Sequence, residues 1–251
     1  MERRTYLGSF GAVGAAGLTG LAGCLGEVGI GDNADNDNGD NADNDDGTIL
    51  GSPDRPGDPE AISHPTHGQE FPDFSLPDPL NGETIDTADF AGEKSFLLTF
   101  FFTSCPDGKC PALLLRLRRA QADAKENGYT DDLNLLAMTF DPERDTADTL
   151  ESYAHEQGVD LEAGNWHFLR PESYESGKEL LHDQIGMRIE KVPEEETEHE
   201  NHDGYSFTHL NLILLVNQDG IVERSYPQAL NPELGGSVEQ IVEDTSTVAQ
   251  Q

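Results

Sequence analysis

Three stretches of the chain are apolar at almost every position: Ser95–Thr103, Leu133–Phe140 and Leu210–Val216. Short unbroken apolar runs of this kind predict strands covered on both faces. Between them the spacing becomes helical. Apolar residues recur at helical intervals from Pro111 to about Asn127, with Pro111 suited to a first turn and Gly128 to a stop. Thr146–Gln157, ended by Gly158, and Ser173–Ile185 read as two further helices. Phe74–Gly82 predicts a short strand and turn, Thr87–Glu93 a helical turn, and Trp166–Leu169 a short strand. Gln218-Asp-Gly220 predicts a hairpin turn into Ile221–Tyr226, and a helix from Pro232 to about Val242 closes the pattern.

The resulting order, β-α-β-α-β-α-β-β-α, is that of a thioredoxin-like α/β fold, a central mixed β-sheet flanked by helices. The folded domain is expected over residues 69–246, with a tail at 247–251. No internal repeat is present.

The residues before this domain have a different pattern. Positions 31–46 carry no apolar side chain larger than alanine and cannot build a core, so 25–68 is expected to be a disordered acidic linker. The aspartates at 31–46 lack the closing glutamate of a calcium loop, and a solvated stalk is the reading. Residues 1–24 read as an address: Arg3-Arg4, a short run rich in Gly and Ala, then Leu21-Ala-Gly-Cys24. This is the form of a twin-arginine export signal with a lipobox, in which Cys24 becomes lipidated and holds the protein on the outer face of the cell membrane. Disulfides are permitted there.

Charge narrows the partners. With 49 acidic and 15 basic residues the formal net charge is −34, spread through almost every segment. Such a surface repels nucleic-acid phosphates and anionic lipid, and it suits very high salt, so a halophilic source is expected.

The candidate chemistry is sulfur. Cys105 and Cys110 flank Pro106-Asp-Gly-Lys109 where a buried strand gives way to a helix. Two thiols so placed can share a soft metal such as Cu(I), cycle as a redox pair, or close a permanent disulfide. Cys110 precedes Pro111, near the expected helix start, where the dipole favours a thiolate. His209 opens the third apolar run and is the candidate third ligand, the alternative being a core histidine. His199 and His202 lie in an acidic loop and His64 and His67 in the linker, where solvated side chains are expected. His155, His167 and His182 fall inside regular elements and read as structural. Asp141 is either a neighbour of the sulfurs or a turn residue, Arg144 can pair with an acid, and Asp145 or Thr146 can cap the next helix.

Phe-Thr-Ser-Cys-Pro-Asp…Cys-Pro, Phe-Asp-Pro-Glu-Arg-Asp-Thr, and Thr-His followed by an apolar strand and Asn-Gln-Asp-Gly occur in that order. Together they resemble the SCO/SenC family of thioredoxin-like copper proteins, in a haloarchaeal-type lipoprotein. The resemblance covers about Phe71 to Val242. It implies copper, Cu(I) or Cu(II), held by Cys105, Cys110 and His209. It also implies assembly of the dinuclear copper centre of a terminal cytochrome oxidase, whose copper-accepting subunit is the partner, by delivering copper or by reducing that subunit's cysteines. The family separates its cysteines by three residues, and here there are four. The competing readings are a thiol–disulfide oxidoreductase or peroxide-reducing enzyme acting through Cys105 and Cys110, and an extracellular binding module with a structural disulfide.

Overall fold

The computed structural model describes residues 47–53, 62–193, 204–231 and 236–251. The chain divides into 1–40 and 41–251, and every described residue belongs to the second unit. The expected export segment with Cys24, the expected stalk to residue 46, His199, His202 and Pro232 lie outside the described residues. Among the described residues no helix is long and apolar enough to cross a membrane.

A hairpin of β1 (Ser75–Asp78) and β2 (Glu83–Asp86) leads into β3 (Ser95–Phe101), α1 (Lys109–Asn127), β4 (Leu133–Thr139), α2 (Ala147–Gln157), β5 (Trp166–Leu169) and α3 (Tyr174–Glu179). A second hairpin, β6 (Glu190–Pro193) and β7 (Tyr205–Thr208), precedes β8 (Ile213–Val216), β9 (Val222–Tyr226) and α4 (Val238–Ala249). Five strands form the central sheet in the order β5-β4-β3-β8-β9. β3 runs parallel to β4 and antiparallel to β8, so the sheet is mixed, as the thioredoxin-like reading requires. Every residue of β3 and β4 is buried, which is why their sequences show no alternation.

Helix α1 turns Leu113, Leu114, Leu117, Ala120 and Ala124 inward and packs on β3, β4 and α4. Full burial of one such leucine is worth about 2 kcal/mol. Gly128 ends the helix as expected, in the left-handed conformation, its N–H reaching Ala124 O at 2.8 Å. Ser173 caps α3, and the helix continues through a π-helical turn at Leu180–Gln184, close to the expected end.

Four expectations need correction. The linker does not extend to residue 68. Gly68 N and Val222 N exchange bonds with Val222 O and Gln69 O across β9, and the buried Glu223 carboxylate accepts the N–H groups of Ile49 (2.8 Å) and Leu50 (2.9 Å). These segments are thus held by the Glu223 side chain and by the sheet's edge, which needs partners for its free backbone groups, while Ile49 and Leu50 pack on the core. His64 is consequently buried, and His67 Nδ1 lies 2.9 Å from Glu223 O. Gly186 accommodates this segment: a Cβ there, at φ +70°, would sit 1.7 Å from Ser63 O.

The last helix starts at Val238, not in the low 230s, because Ser237 caps it by accepting from Gln240 N. The third apolar run is a strand only from Ile213 onward. The β6–β7 hairpin was not expected; its charged, proline-bearing sequence has the pattern of a loop.

Candidate metal and thiol site

The sulfur loop begins where β3 ends. Gly108 caps α1 with φ 71°, a left-handed conformation that a side chain would strain, although a Cβ there would touch nothing. The helix therefore starts at Lys109, and Cys110 is its second residue, buried rather than capping. Cys105 is partly exposed. Neither cysteine is in a disulfide.

This reverses the expected roles of the two sulfurs. The N–H of Cys110 donates to Cys105 Sγ at 3.3 Å, so the helix start serves Cys105. Hydrogen bonding from the Cys110 thiol and backbone holds the Cys105 thiol below its ordinary pKa, against burial and the nearby Asp107 carboxylate. Burial pushes Cys110 well up, and a neighbouring Cys105 thiolate adds to the effect. The pair thus holds one partly exposed thiol that ionises more readily than usual and one buried thiol that holds its proton more tightly. Asp107 organises the loop, accepting from Cys105 Sγ and Lys109 N at 3.3 Å each and pairing with Lys109 Nζ at 2.5 Å.

His209 lies between β7 and β8, half-buried. Its ring packs on Phe140 with centroids 4.8 Å apart and on Phe102 at 6.2 Å. Nδ1 is 2.8 Å from Leu210 O. A carbonyl only accepts, so Nδ1 carries the hydrogen and Nε2 keeps its lone pair. Burial lowers the pKa, partly opposed by that hydrogen bond, which favours the neutral imidazole a metal needs. The three donors are not gathered on one point: among the described residues, only Asp78, Glu83 and His167 bring three possible ligand atoms within 4.8 Å of one another.

The loop after β4 forms a wall beside these groups. Asp141 is buried, paired with Arg144 Nε and accepting from Tyr205 OH at 2.8 Å, and so is a turn residue. Asp145 is fully buried and accepts from Thr103 N, Thr103 Oγ1 and Thr139 Oγ1. Burial raises its pKa to about 6 in spite of those donors. Thr146, not Asp145, caps α2. Of the other histidines, His167 is buried against Asp78, while His155 and His182 lie on the surface of their helical turns.

The model of the family described as SCO1/SenC matches residues 63–243. The chain belongs to the SCO1/SenC family. Its fold is similar to three solved structures. A SCO1/SenC family lipoprotein from Bacillus anthracis is 22% identical, with TM-score 0.55, covering 72% of this chain and 95% of that one. Copper-bound ScoI from Arabidopsis thaliana is 23% identical, with TM-score 0.53, covering 73% and 100%. Copper-bound ScoI from Bradyrhizobium japonicum is 21% identical, with TM-score 0.51, covering 72% and 99%. No curated protein sequence matches the chain.

In this SCO1/SenC chain the β6–β7 hairpin supplies what sequence reasoning missed. Phe207 packs on Phe102 (5.1 Å) and Phe140 (5.0 Å), completing the aromatic group around His209. Arg144 and Lys191 lie over the Tyr205 ring at 3.8 and 3.6 Å. The aromatic-rich Tyr205-Ser-Phe207 beside Thr208-His209 was the available signal.

Proposed function

We propose that this protein carries copper on Cys105, Cys110 and His209 and supplies it to the copper-accepting subunit of a terminal cytochrome oxidase. The observation that carries the reading is the reduced pair, with a thiolate-favouring Cys105 beside a buried Cys110 thiol, near a neutral His209 with Nε2 free. Two soft sulfurs and an imidazole suit Cu(I). Family membership and likeness to copper-bound ScoI proteins support it, as does likeness to BsSco, which belongs to the Sco family of cytochrome c oxidase assembly proteins. We further propose that Cys24 is the lipid anchor and that the acidic stalk holds the domain off the outer membrane face.

Each residue has a distinct task. Cys105 presents its sulfur first, Cys110 gives up its proton as a second sulfur ligand, and Nδ1–H bonding to Leu210 O orients His209. Phe102 and Phe140, themselves packed on Phe207, hold the His209 ring in place.

The asymmetry of the thiols supports a second reading, thiol–disulfide exchange. Cys105 thiolate attacks an acceptor disulfide, forming a mixed disulfide and releasing one acceptor thiolate. Cys110 then loses its proton and attacks Cys105 Sγ, releasing the second; the acceptor gains two electrons and this pair closes. The experiment is an anaerobic Cu(I) titration of the reduced full chain against a competing chelator. One tight equivalent, weakened at least roughly tenfold by His209→Ala, is expected. Binding indifferent to His209 would leave thiol exchange as the function.

A further inference from the structure

The three-donor cluster lies at the β5 edge of the sheet and shares no residue with the sulfur loop. Asp78 ends β1, Glu83 begins β2 directly across from it, and His167 is the second residue of β5. His167 Nδ1 lies 3.1 Å from Asp78 Oδ2 and 3.8 Å from Glu83 Oε1. For a divalent ion bound at about 2.1 Å to nitrogen and oxygen, tetrahedral donors stand roughly 3.4 Å apart, and these spacings bracket that distance.

We propose that Asp78, Glu83 and His167 form a second metal site, one for a borderline divalent cation such as Zn²⁺. The donor set contains no sulfur, so it selects divalent ions and leaves Cu(I) to the cysteines. The site is built rather than assembled from loose surface groups. The Asp78 and His167 side chains are almost wholly buried, while Glu83 is 54% exposed and gives the ion a way in. Asp78 is held by surrounding donors: Leu80 N reaches Oδ1 at 3.0 Å, Asn81 N reaches it at 3.4 Å, and Asn81 Nδ2 reaches Oδ2 at 2.6 Å. These fix the carboxylate and leave a lone pair on Oδ2 facing His167. Binding requires His167 Nδ1 without its hydrogen, so the ion replaces one proton at most.

The position gives the site a structural consequence. β1 lies beside β5, with Arg170 N bonded to Pro77 O at 3.0 Å. An ion shared by Asp78, Glu83 and His167 would clip both strands of the N-terminal hairpin to the free side of β5. Binding only the folded state, it raises stability with ion concentration.

The test uses the full chain with Cys105→Ser and Cys110→Ser, stripped of metal, so that sulfur takes no part. Titration with Zn²⁺, and with Co²⁺ followed by its visible absorption, is expected to show one specific equivalent above weak binding to the acidic stalk. His167→Ala is expected to abolish it, and Glu83→Gln to weaken it at least tenfold. Thermal unfolding is expected to shift upward with Zn²⁺ in the double-serine protein but not with His167→Ala added. Glu83 is exposed, so its substitution tests the site even where His167→Ala fails to fold. No saturable equivalent, or one unchanged by Glu83→Gln, overturns the proposal and leaves a hydrogen-bonded His167–Asp78 pair only.

Discussion

Two loops leave the same end of the sheet, one after β3 and one after the parallel β4, and they are built in opposite ways. The loop at 140–146 buries two carboxylates and ties them to β3, β4 and β7 through Thr103, Thr139, Arg144 and Tyr205. Arg170 also ties it to the end of β5, bonding Asp145 O (2.9 Å) and Pro142 O (2.6 Å). The sulfur loop is anchored at Thr103 and again at α1; between these points Cys105 and Asp107 bond within the loop and to the start of α1. One loop is a wall tied across several strands and the other an arm tied mainly at its two ends. The difference fits a site whose sulfurs and His209 have yet to converge.

The strongest way to break this comparison is at the arm. Cys105→Ser removes the more accessible sulfur, and Cu(I) affinity is expected to fall by more than about 100-fold, beyond the loss typical of a residue that only orients a ligand. Competition against a Cu(I) chelator measures it. A smaller loss would mean that Cys110 and His209 suffice and that the arm is dispensable.

The wall makes the next largest prediction. Asp145 holds its proton more tightly folded than unfolded, with a pKa of about 6 against an ordinary 3.8. Between these values the folded state binds more protons, so this contribution to stability falls as pH rises. The full span is worth about 3 kcal/mol. The stability of wild type relative to Asp145→Asn should therefore decline by about that amount from pH ~3 to pH ~7. Denaturant unfolding at several pH values checks this, and a flat difference would mean that Asp145 is not the buried titrating group of the wall.

The two thiols offer a finer test. With Cys105 pushed down and Cys110 pushed up by burial, a small alkylating agent at neutral pH should modify Cys105 faster by roughly tenfold or more. Mass spectrometry of partly modified protein reads the ratio. Equal rates would remove the asymmetry on which thiol exchange depends.

What the sequence made legible follows the same division. β3, β4 and α1 were readable because burial on both faces leaves unbroken apolar runs, and because Gly128 can stop a helix where others strain. Cys105, Cys110 and His209 were singled out by residue type and flanking elements. Which sulfur becomes the thiolate was not readable. It depends on a helix that starts at Lys109 because Gly108 adopts φ 71°, two residues earlier than Pro111 suggested. The hairpin around Tyr205 was hidden for a related reason. Its aromatic residues pack on Phe102 and Phe140, distant in sequence, rather than on neighbours that would give a period. The docked segments at 47–50 and 62–68 were hard to read because they are short and form no helix or strand: Ile49 and Leu50 alone pack on the core at 47–50, and hydrogen bonds to Glu223 and Val222 hold both segments.

The smallest expected effect probes how over-determined the wall is. Tyr205→Phe deletes one hydroxyl, the donor 2.8 Å from Asp141 Oδ1 and 3.2 Å from Glu143 Oε2. It keeps the ring on which Arg144 and Lys191 rest. Asp141 retains Arg144, so no buried charge is stranded, and the cost should be near that of a single hydrogen bond, about 1 kcal/mol. The Cu(I) competition curve should then superimpose on that of the wild type, since the ring packing of His209 on Phe140 does not pass through the hydroxyl. A tenfold change in copper affinity from so small a deletion would mean that the wall transmits its state to His209. The contrast between a cross-tied loop and one tied at its ends would then give way to a single coupled unit.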